Sequence, residues 1–199
     1  MPDRQLPGRQ AGGKLGSMGS SHAHDHFDHE HDPTCDVAHG KAQAPAEDKV
    51  LVAVFASPVA GFLLRYGADA GYRTFLMEPD PALAAAARAQ GAEVAETMDA
   101  FAPGTADVVV TDHHRDELGV LLRDALAGKA RWVGIMGNPR HEGPHLKALT
   151  ELGVPAEEIS LVHRPIGLNI GSRTPPEIAI ATLAGLIADR NGKPGGFAF

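Results

Sequence analysis

The residue types best suited to binding a charged ligand stand in three turns, each directly after an apolar segment of the chain. They are Asp112, His113 and His114 in the first turn, Asn138 and Arg140 in the second, and Gly167, Gly171 and Arg173 in the third. Histidine exchanges protons near neutral pH or binds a metal ion, and the planar guanidinium of arginine suits phosphate and similar anions. The competing interpretation of these turns is a set of helix caps followed by exposed charges.

A second concentration of ligand-type side chains lies near the N-terminus. It consists of His22, His24, His26, His29 and His31, interleaved with Asp25, Asp28, Glu30 and Asp32. Imidazoles and carboxylates at this density can chelate zinc, nickel or copper, because a flexible chain can wrap several nitrogens around one ion. The alternative is a solvated polar tail that binds metal only adventitiously.

From Val50 onwards, short apolar runs alternate with segments of helical periodicity, a pattern typical of βαβ units. The predicted strands are 50–56, 72–77, 92–95, 106–111, 130–136 and 159–163, and the predicted helices are 58–70, 81–90, 116–126, 145–152 and 175–189. We therefore predict an α/β fold with a Rossmann-like, doubly wound and mostly parallel sheet. Ligands of such sheets bind at the carboxyl ends of the strands, where the three polar turns fall.

The chain divides by composition into three predicted segments. Residues 1–48 have no apolar period that could be buried, so we predict a disordered tail rich in His and Asp. Residues 49–192 form the predicted Rossmann-like domain, and 193–199 a flexible C-terminal end. A domain of this length can bury a single core.

The first strand–helix turn bears on nucleotide binding. A dinucleotide-binding turn needs glycines that let the backbone approach the pyrophosphate, yet here Ala56 and Pro58 occupy the two critical places and only Gly61 remains. Glu78 follows the second strand, where a ribose-binding carboxylate would stand, although we favour a solvated strand end. A nicotinamide-dependent oxidoreductase therefore stays open only as an alternative, with doubtful NAD(P) binding.

The last helix carries a clear start signal. Thr174 and Glu177 have the spacing of a capping box, and the prolines that follow suit a first turn. Because two consecutive prolines remove two amide donors from the helix end, an anion here would have to bind the loop amides between Gly167 and Arg173.

Overall charge and cysteine content exclude some classes of partner. The 199 residues carry a net charge of -7, which argues against nucleic acid or an anionic membrane as the partner. Cys35 is the single cysteine, so no intramolecular disulfide can form, and we expect the protein to reside in a reducing compartment. With no long apolar run, we expect a cytoplasmic protein; self-association into a homodimer is left open.

Three stretches resemble the xanthine dehydrogenase accessory protein family (XdhC/CoxI), in its C-terminal Rossmann-like domain. The most specific is Pro-Ile-Gly-Leu-Asn-Ile-Gly-Ser-Arg-Thr-Pro-Pro-Glu-Ile-Ala at 165–179, and the others are 132–140 and 146–153. The resemblance covers roughly 49–192. The family usually has Gly-Ser-Arg in the second turn, so Asn138 departs from its pattern. The family's separate N-terminal domain, with its cysteine motif, has no counterpart in 1–48.

The resemblance implies an accessory role in maturing or delivering the molybdenum cofactor to an enzyme of the xanthine dehydrogenase type, rather than catalysis. Because ligands of such sheets bind at the carboxyl ends of the strands, we expect the three polar turns to bind the anionic pterin of that cofactor. Beside it stand two alternatives from other classes of protein: the oxidoreductase, and a metal-handling protein that holds zinc or nickel on its tail.

Overall fold

The computed structural model describes residues 33–43, 47–138 and 140–196. The chain divides into two units, Met1–Pro45 and Ala46–Phe199. The histidines proposed to bind metal, His22, His24, His26, His29 and His31, lie outside the described residues. The described part of the first unit contains helix α1, Pro33–Ala38, which buries none of its residues. The prediction of no regular structure up to residue 48 is therefore wrong for these six positions.

The second unit is built on five strands in the order β2-β1-β3-β4-β5, and every pair of neighbours runs parallel. The strands are β1 (Val50–Val54), β2 (Arg73–Met77), β3 (Ala106–Val110), β4 (Trp132–Ile135) and β5 (Val162–His163). The central strands β1 and β3 are buried at every residue, as expected for a parallel sheet covered on both faces. The predicted Rossmann-like, doubly wound sheet is thus confirmed.

Helices cover both faces of this sheet. They are α2 (Pro58–Asp69), α3 (Pro81–Ala89), α4 (Leu118–Ala127), α5 (Pro144–Glu151), α6 (Ala156–Ile159) and α7 (Pro175–Arg190), with a 3₁₀ turn at Met98–Ala100. On one face α2 and α7 pack together over Leu51 and Val109. On the other, Leu122 and Leu149 of α4 and α5 join Val108 in the main core. None of the described helices has the length and apolar character needed to cross a membrane.

Two predicted strands differ from the structure. The strand expected at 159–163 is reduced to the two residues of β5, because Pro155 starts helix α6, which has Glu157 and Glu158 in its first turn. Acidic side chains in the first turn stabilise a helix through its dipole. The strand expected at 92–95 is a single parallel bridge between Leu76 and Val94. Helix α7, in contrast, begins at Pro175 as predicted.

The capping box of α7 is present. The carboxylate of Glu177 accepts hydrogen bonds from the backbone N–H of Arg173 at 2.8 Å and of Thr174 at 3.1 Å. These two bonds lower the pKa of Glu177 below its ordinary value, because they stabilise the charged carboxylate. The cap therefore fixes the direction in which the preceding loop enters the helix.

A buried ion-pair network, not predicted from the sequence, ties the end of α7 to the sheet. Asp107 of β3 is fully buried, with 0% exposure, and accepts hydrogen bonds from Arg131 and from Nε of Arg190, the latter at 2.8 Å. Arg131 also donates to Asp189 at 2.7 Å. Asp107 faces the same side of the sheet as Leu51 and Val109, the side that α7 covers.

Removing this buried acceptor should destabilise the fold strongly. Asp107→Ala leaves two guanidiniums without their shared carboxylate, so we expect a loss of about 3 to 5 kcal/mol in the free energy of unfolding, measured by urea denaturation. Asp124→Ala is the matched control, since Asp124 forms an exposed pair with Arg123, and should cost less than about 1 kcal/mol. Equal losses in the two variants would contradict a structural role for the network.

Candidate functional site

The carboxyl ends of β3, β4 and β5 bring polar residues together at one edge of the sheet. Asp112, His113 and His114 follow β3, Gly137 and Asn138 follow β4, and Arg164 follows β5. We call these six residues the carboxyl edge. Each segment leaves its strand on the same side because the strands are parallel.

The turn after β3 is held by its own aspartate. Oδ1 of Asp112 accepts a hydrogen bond from the backbone N–H of His114 at 2.9 Å, the arrangement of an Asx turn. The imidazole rings of His113 and His114 lie 4.1 Å apart between centroids. Helix α4 begins later, at Leu118, with Glu117 at its N-cap position. Asp112 therefore orients the two histidines and does not cap the helix.

Arg164 connects the ends of β4 and β5. Its Nη2 donates to the carbonyl of Asn138 at 2.7 Å, and its Nη1 donates to the carbonyl of His141 at 2.9 Å. The loop between β4 and α5 is thus wrapped around one guanidinium. Among the described residues, no ion pair joins Arg164 to a carboxylate.

Two glycines make room for this arginine. A Cβ on Gly137 would lie 2.7 Å from Nε of Arg164, and a Cβ on Gly143 would lie 3.2 Å from its Cδ. The same Gly143 Cβ would lie 2.4 Å from Nδ1 of His145. The imidazole of His145, only 5% exposed, therefore folds back over Gly143 beside the arginine stem. A side chain at Gly137 would displace Arg164, and one at Gly143 would displace the imidazole of His145.

The charge of Arg164 acts on both neighbouring histidines. Burial, followed by repulsion from Arg164, lowers the pKa of His145 below its ordinary value. The pKa of His113 is lowered by burial first, then by His114, with Arg164 contributing in the same direction against the opposing effect of Asp112. These imidazoles are consequently favoured in their neutral form near pH 7, with the positive charge held on the arginine.

The two arginines singled out from the sequence sit differently. Arg140 and Arg173 are exposed, and both form hydrogen bonds through their backbone N–H groups. That of Arg140 donates to Oδ1 of Asn138 at 3.0 Å, and that of Arg173 donates to the carboxylate of Glu177. Asn138 therefore shapes its own turn. Within the described chain, no hydrogen bond or ion pair brings either guanidinium to the carboxyl edge.

The loop from Pro165 to Thr174, which precedes α7 and which we call the signature loop, contains Gly167 and Gly171, and these two glycines have separate roles. Gly167 has φ of +83°, and a Cβ there would lie 3.0 Å from the backbone of Ala181 and Thr182 in α7. The next amide, of Leu168, donates to the carbonyl of Ala181 at 3.0 Å. Gly171 has φ of +70° with open space around it. Gly167 thus allows close packing on α7, while Gly171 serves the turn.

The turn between β1 and α2 is occupied by a carboxylate of the protein itself, that of Glu78. Glu78 is 7% exposed, and its carboxylate accepts from the N–H of Ala56 at 2.7 Å, from the N–H of Asp80 at 2.9 Å, and from Arg115 at 3.1 Å. The expectation of a solvated strand end is wrong, because the turn folds over this side chain. Its carboxylate engages an amide of the turn that would otherwise face a pyrophosphate.

The groove between α2 and α3 is lined by none of the carboxyl-edge residues. This groove has a volume of about 1010 Å³, with Ser57, Arg65 and Leu83 among its lining residues. Across the described residues, no group of three or more His, Cys, Asp or Glu side chains is arranged to hold a metal ion. The His113–His114 pair thus lacks a third ligand there.

Dinucleotide binding should be weak for this geometric reason. With Glu78 on the turn and Pro58 at the start of α2, we expect NAD and NADP to bind no more tightly than about 100 micromolar, an affinity of about 5 kcal/mol. Isothermal titration calorimetry checks this. A sub-micromolar dissociation constant for either nucleotide would contradict the assignment.

The lowered histidine pKa values predict a stability change in mildly acidic solution. Because the unfolded chain takes up a proton near pH 6.5 and folded His145 does so only at lower pH, stability should be complete above about pH 6.5 and fall as the pH drops below it. His145→Gln should reduce this slope in urea denaturation. His141→Gln, at an exposed position, is the control; an unchanged slope in His145→Gln would contradict the prediction.

Comparison with known proteins agrees with this architecture. A protein of Bacillus halodurans, described as a xanthine dehydrogenase, superposes with a TM-score of 0.58 at 22% identity, covering 73% of this chain and 45% of that chain. At that identity the likeness concerns the fold. The uncharacterized protein YqeB of Escherichia coli strain K12 is 36% identical over 89 residues, which are 45% of this chain and 16% of YqeB. This chain thus matches less than half of the length of the Bacillus halodurans protein and less than half of YqeB.

The family assignment comes from a family model. The model described as the XdhC Rossmann domain matches residues 51–186, a range that includes β1 from its second residue, the other four strands in full and most of α7. It contains the signature loop and the whole carboxyl edge. Because this match covers more than half of the chain, the protein belongs to the XdhC family, represented here by its Rossmann domain.

Proposed function

We propose that this chain is an accessory protein of molybdenum cofactor maturation or delivery, with an enzyme of the xanthine dehydrogenase type as its client and the carboxyl edge as its cofactor-binding site. Family membership supports the class of role. The observation that carries the site is the guanidinium of Arg164, fixed where three strands end and paired with no carboxylate in the described chain. An anionic ligand would supply the missing counter-charge.

The residues of the edge fit the chemistry of this cofactor, a pterin with a phosphate group. Arg164 offers guanidinium N–H donors. His113 and His114 offer imidazoles that can donate or accept hydrogen bonds. The loop from Asn138 to Gly143 adds backbone groups, which can pair with the polar rim of a pterin ring. When bound, the cofactor would carry the redox chemistry of the client, while this chain binds and orients it.

Arg140 and Arg173 remain proposed contacts of the cofactor together with Gly167 and Gly171. Their exposed guanidiniums could approach a ligand already held by the edge, and the loop amides between Gly167 and Arg173 could donate to it. Each of the two arginines would have to order its exposed side chain on binding, at a cost of up to about 2 kcal/mol. Arg164 is already ordered by its two carbonyl partners.

The oxidoreductase alternative gains no support from the site, since Glu78 and Pro58 occupy the turn that a nicotinamide nucleotide would need.

Binding of zinc or nickel by the histidines at 22–31 stays a prediction, because these residues lie outside the part of the chain that the structure describes. Deleting residues 1–48 should abolish this binding without changing the melting temperature of the metal-free domain.

Client loading tests the proposed function. A xanthine dehydrogenase-type enzyme from the same source should contain molybdenum cofactor when expressed with this chain and far less without it. The cofactor is measured by the fluorescence of its oxidised pterin. Arg164→Lys should lower loading because a lysine lacks the planar fork; the loss of one charge-assisted hydrogen bond is worth about 1.5 to 3 kcal/mol of cofactor affinity.

Thr174→Ala is the matched control for loading. It removes the hydroxyl half of the α7 capping box, which should cost about 1 kcal/mol of stability, while Glu177 still accepts from the backbone N–H groups of Arg173 and Thr174 and so keeps the preceding loop in place. Melting curves for each variant separate the two effects. Equal loading of the client with and without this chain would contradict the proposed function.

A further inference from the structure

Arg164 stands apart from the other ordered arginines of the domain by what surrounds it. Arg115, Arg131 and Arg190 each pair with a carboxylate that has no exposed side-chain surface. Arg164 instead donates to two neutral carbonyls, those of Asn138 and His141. A half-buried guanidinium with only neutral partners leaves its charge uncompensated, which is costly away from bulk water.

The polar atoms beside this guanidinium are also incompletely paired. Nε of Arg164 and Nδ1 of His145 are both buried, and neither has a hydrogen-bond partner. Each terminal nitrogen of Arg164 carries two hydrogens and uses one of them for a loop carbonyl. The site therefore has spare donors as well as spare positive charge. Buried polar groups are otherwise nearly always satisfied.

The histidines nearby complete a cationic site. Arg164 contributes to lowering the pKa of both His113 and His145, so it lies within electrostatic reach of both imidazoles. A bound dianion would offset the arginine charge and allow these imidazoles to take up protons and donate to it. No carboxylate of the described residues forms an ion pair with Arg164 that would compete with such a ligand.

We infer that Arg164, His113 and His145 form a subsite for a tetrahedral dianionic oxyanion, either the phosphate of an organic ester or a free oxyanion such as phosphate or molybdate. This deepens the proposed function and rests on it only for the identity of the natural ligand. The anion bonds the spare N–H groups of the guanidinium, whose orientation the two carbonyls have already fixed. His113 is partly buried in the turn after β3, and His145 is buried against Gly143.

The test is a titration of the full chain with inorganic phosphate, followed by NMR signals of the histidine imidazoles. Phosphate should shift the His113 and His145 signals saturably and raise the pKa of both, while chloride at equal ionic strength should not. Molybdate and phenyl phosphate are the second arm. Binding of phenyl phosphate assigns the subsite to an ester, and binding of molybdate and phosphate alone assigns it to a free oxyanion.

Variants locate the site. Arg164→Lys should weaken phosphate binding about tenfold, because the charge remains but the fork is lost, whereas Arg88→Lys, at an exposed arginine of α3 paired with Glu96, should leave it within about twofold. If Arg164→Lys does not fold by circular dichroism, His113→Asn, which leaves the carbonyl partners of Arg164 intact, should weaken binding about threefold. The inference is overturned if phosphate gives no saturable shift in the parent chain, or if Arg88→Lys weakens binding as much as Arg164→Lys.

This result is separable from the client experiment. Normal loading of the client by an Arg164→Lys chain that has lost phosphate binding would remove the proposed function from this edge and leave the anion subsite in place. Absence of phosphate binding in the parent chain would remove the subsite itself.

Discussion

The geometry of the carboxyl edge depends on the hydrogen bonds from Arg164 to the carbonyls of Asn138 and His141. They set the path of the loop between β4 and α5, and that path in turn places His145 over Gly143. Both flanking glycines are needed, since a Cβ at either position would collide with the arginine or the imidazole. One side chain thus links the ends of two strands and provides the charge that a ligand would meet.

Charge is divided along the same edge of the sheet. On the side of β1 and β2, the buried carboxylate of Glu78 takes an amide of the first turn and pairs with Arg115. On the side of β4 and β5, Arg164 has only neutral partners. At the usual nucleotide position an anion would thus meet an amide already engaged by Glu78, whereas beside β4 and β5 it would meet an arginine without a carboxylate partner among the described residues. The Rossmann fold is retained, and we propose that its ligand position lies on the side of β3, β4 and β5.

Local signals made most of the fold predictable. Apolar strands buried on both faces, proline-led helices and the Thr174–Glu177 box each have a short-range physical cause, and each appears in the structure. The two failures at strands, 92–95 and 159–163, are short segments at the margins of the sheet. There few neighbours enforce an extended conformation, and at the second segment helix α6, with Glu157 and Glu158 in its first turn, shortens the strand.

The site was harder to predict because its decisive contacts are long-range. Asp112, His113, His114 and Asn138 were placed correctly at strand ends, since a turn after an apolar run is visible in the sequence. Arg164 was missed because it precedes Pro165 and its partners lie 23 and 26 residues away. Pairing across such distances has no local pattern. The available signals were Gly137 and Gly143, whose missing side chains indicate a close approach by another part of the chain.

The displacement of anion binding from the first turn to the β3–β5 side is the central claim. A crystal of the chain grown with molybdate tests it most directly, because molybdenum can be located by its anomalous scattering. The account predicts a peak within about 4 Å of the guanidinium nitrogens of Arg164, the distance of a hydrogen-bonded oxyanion centre. A peak beside Ala56 at the first turn, or none in a crystal saturated with molybdate, would contradict it.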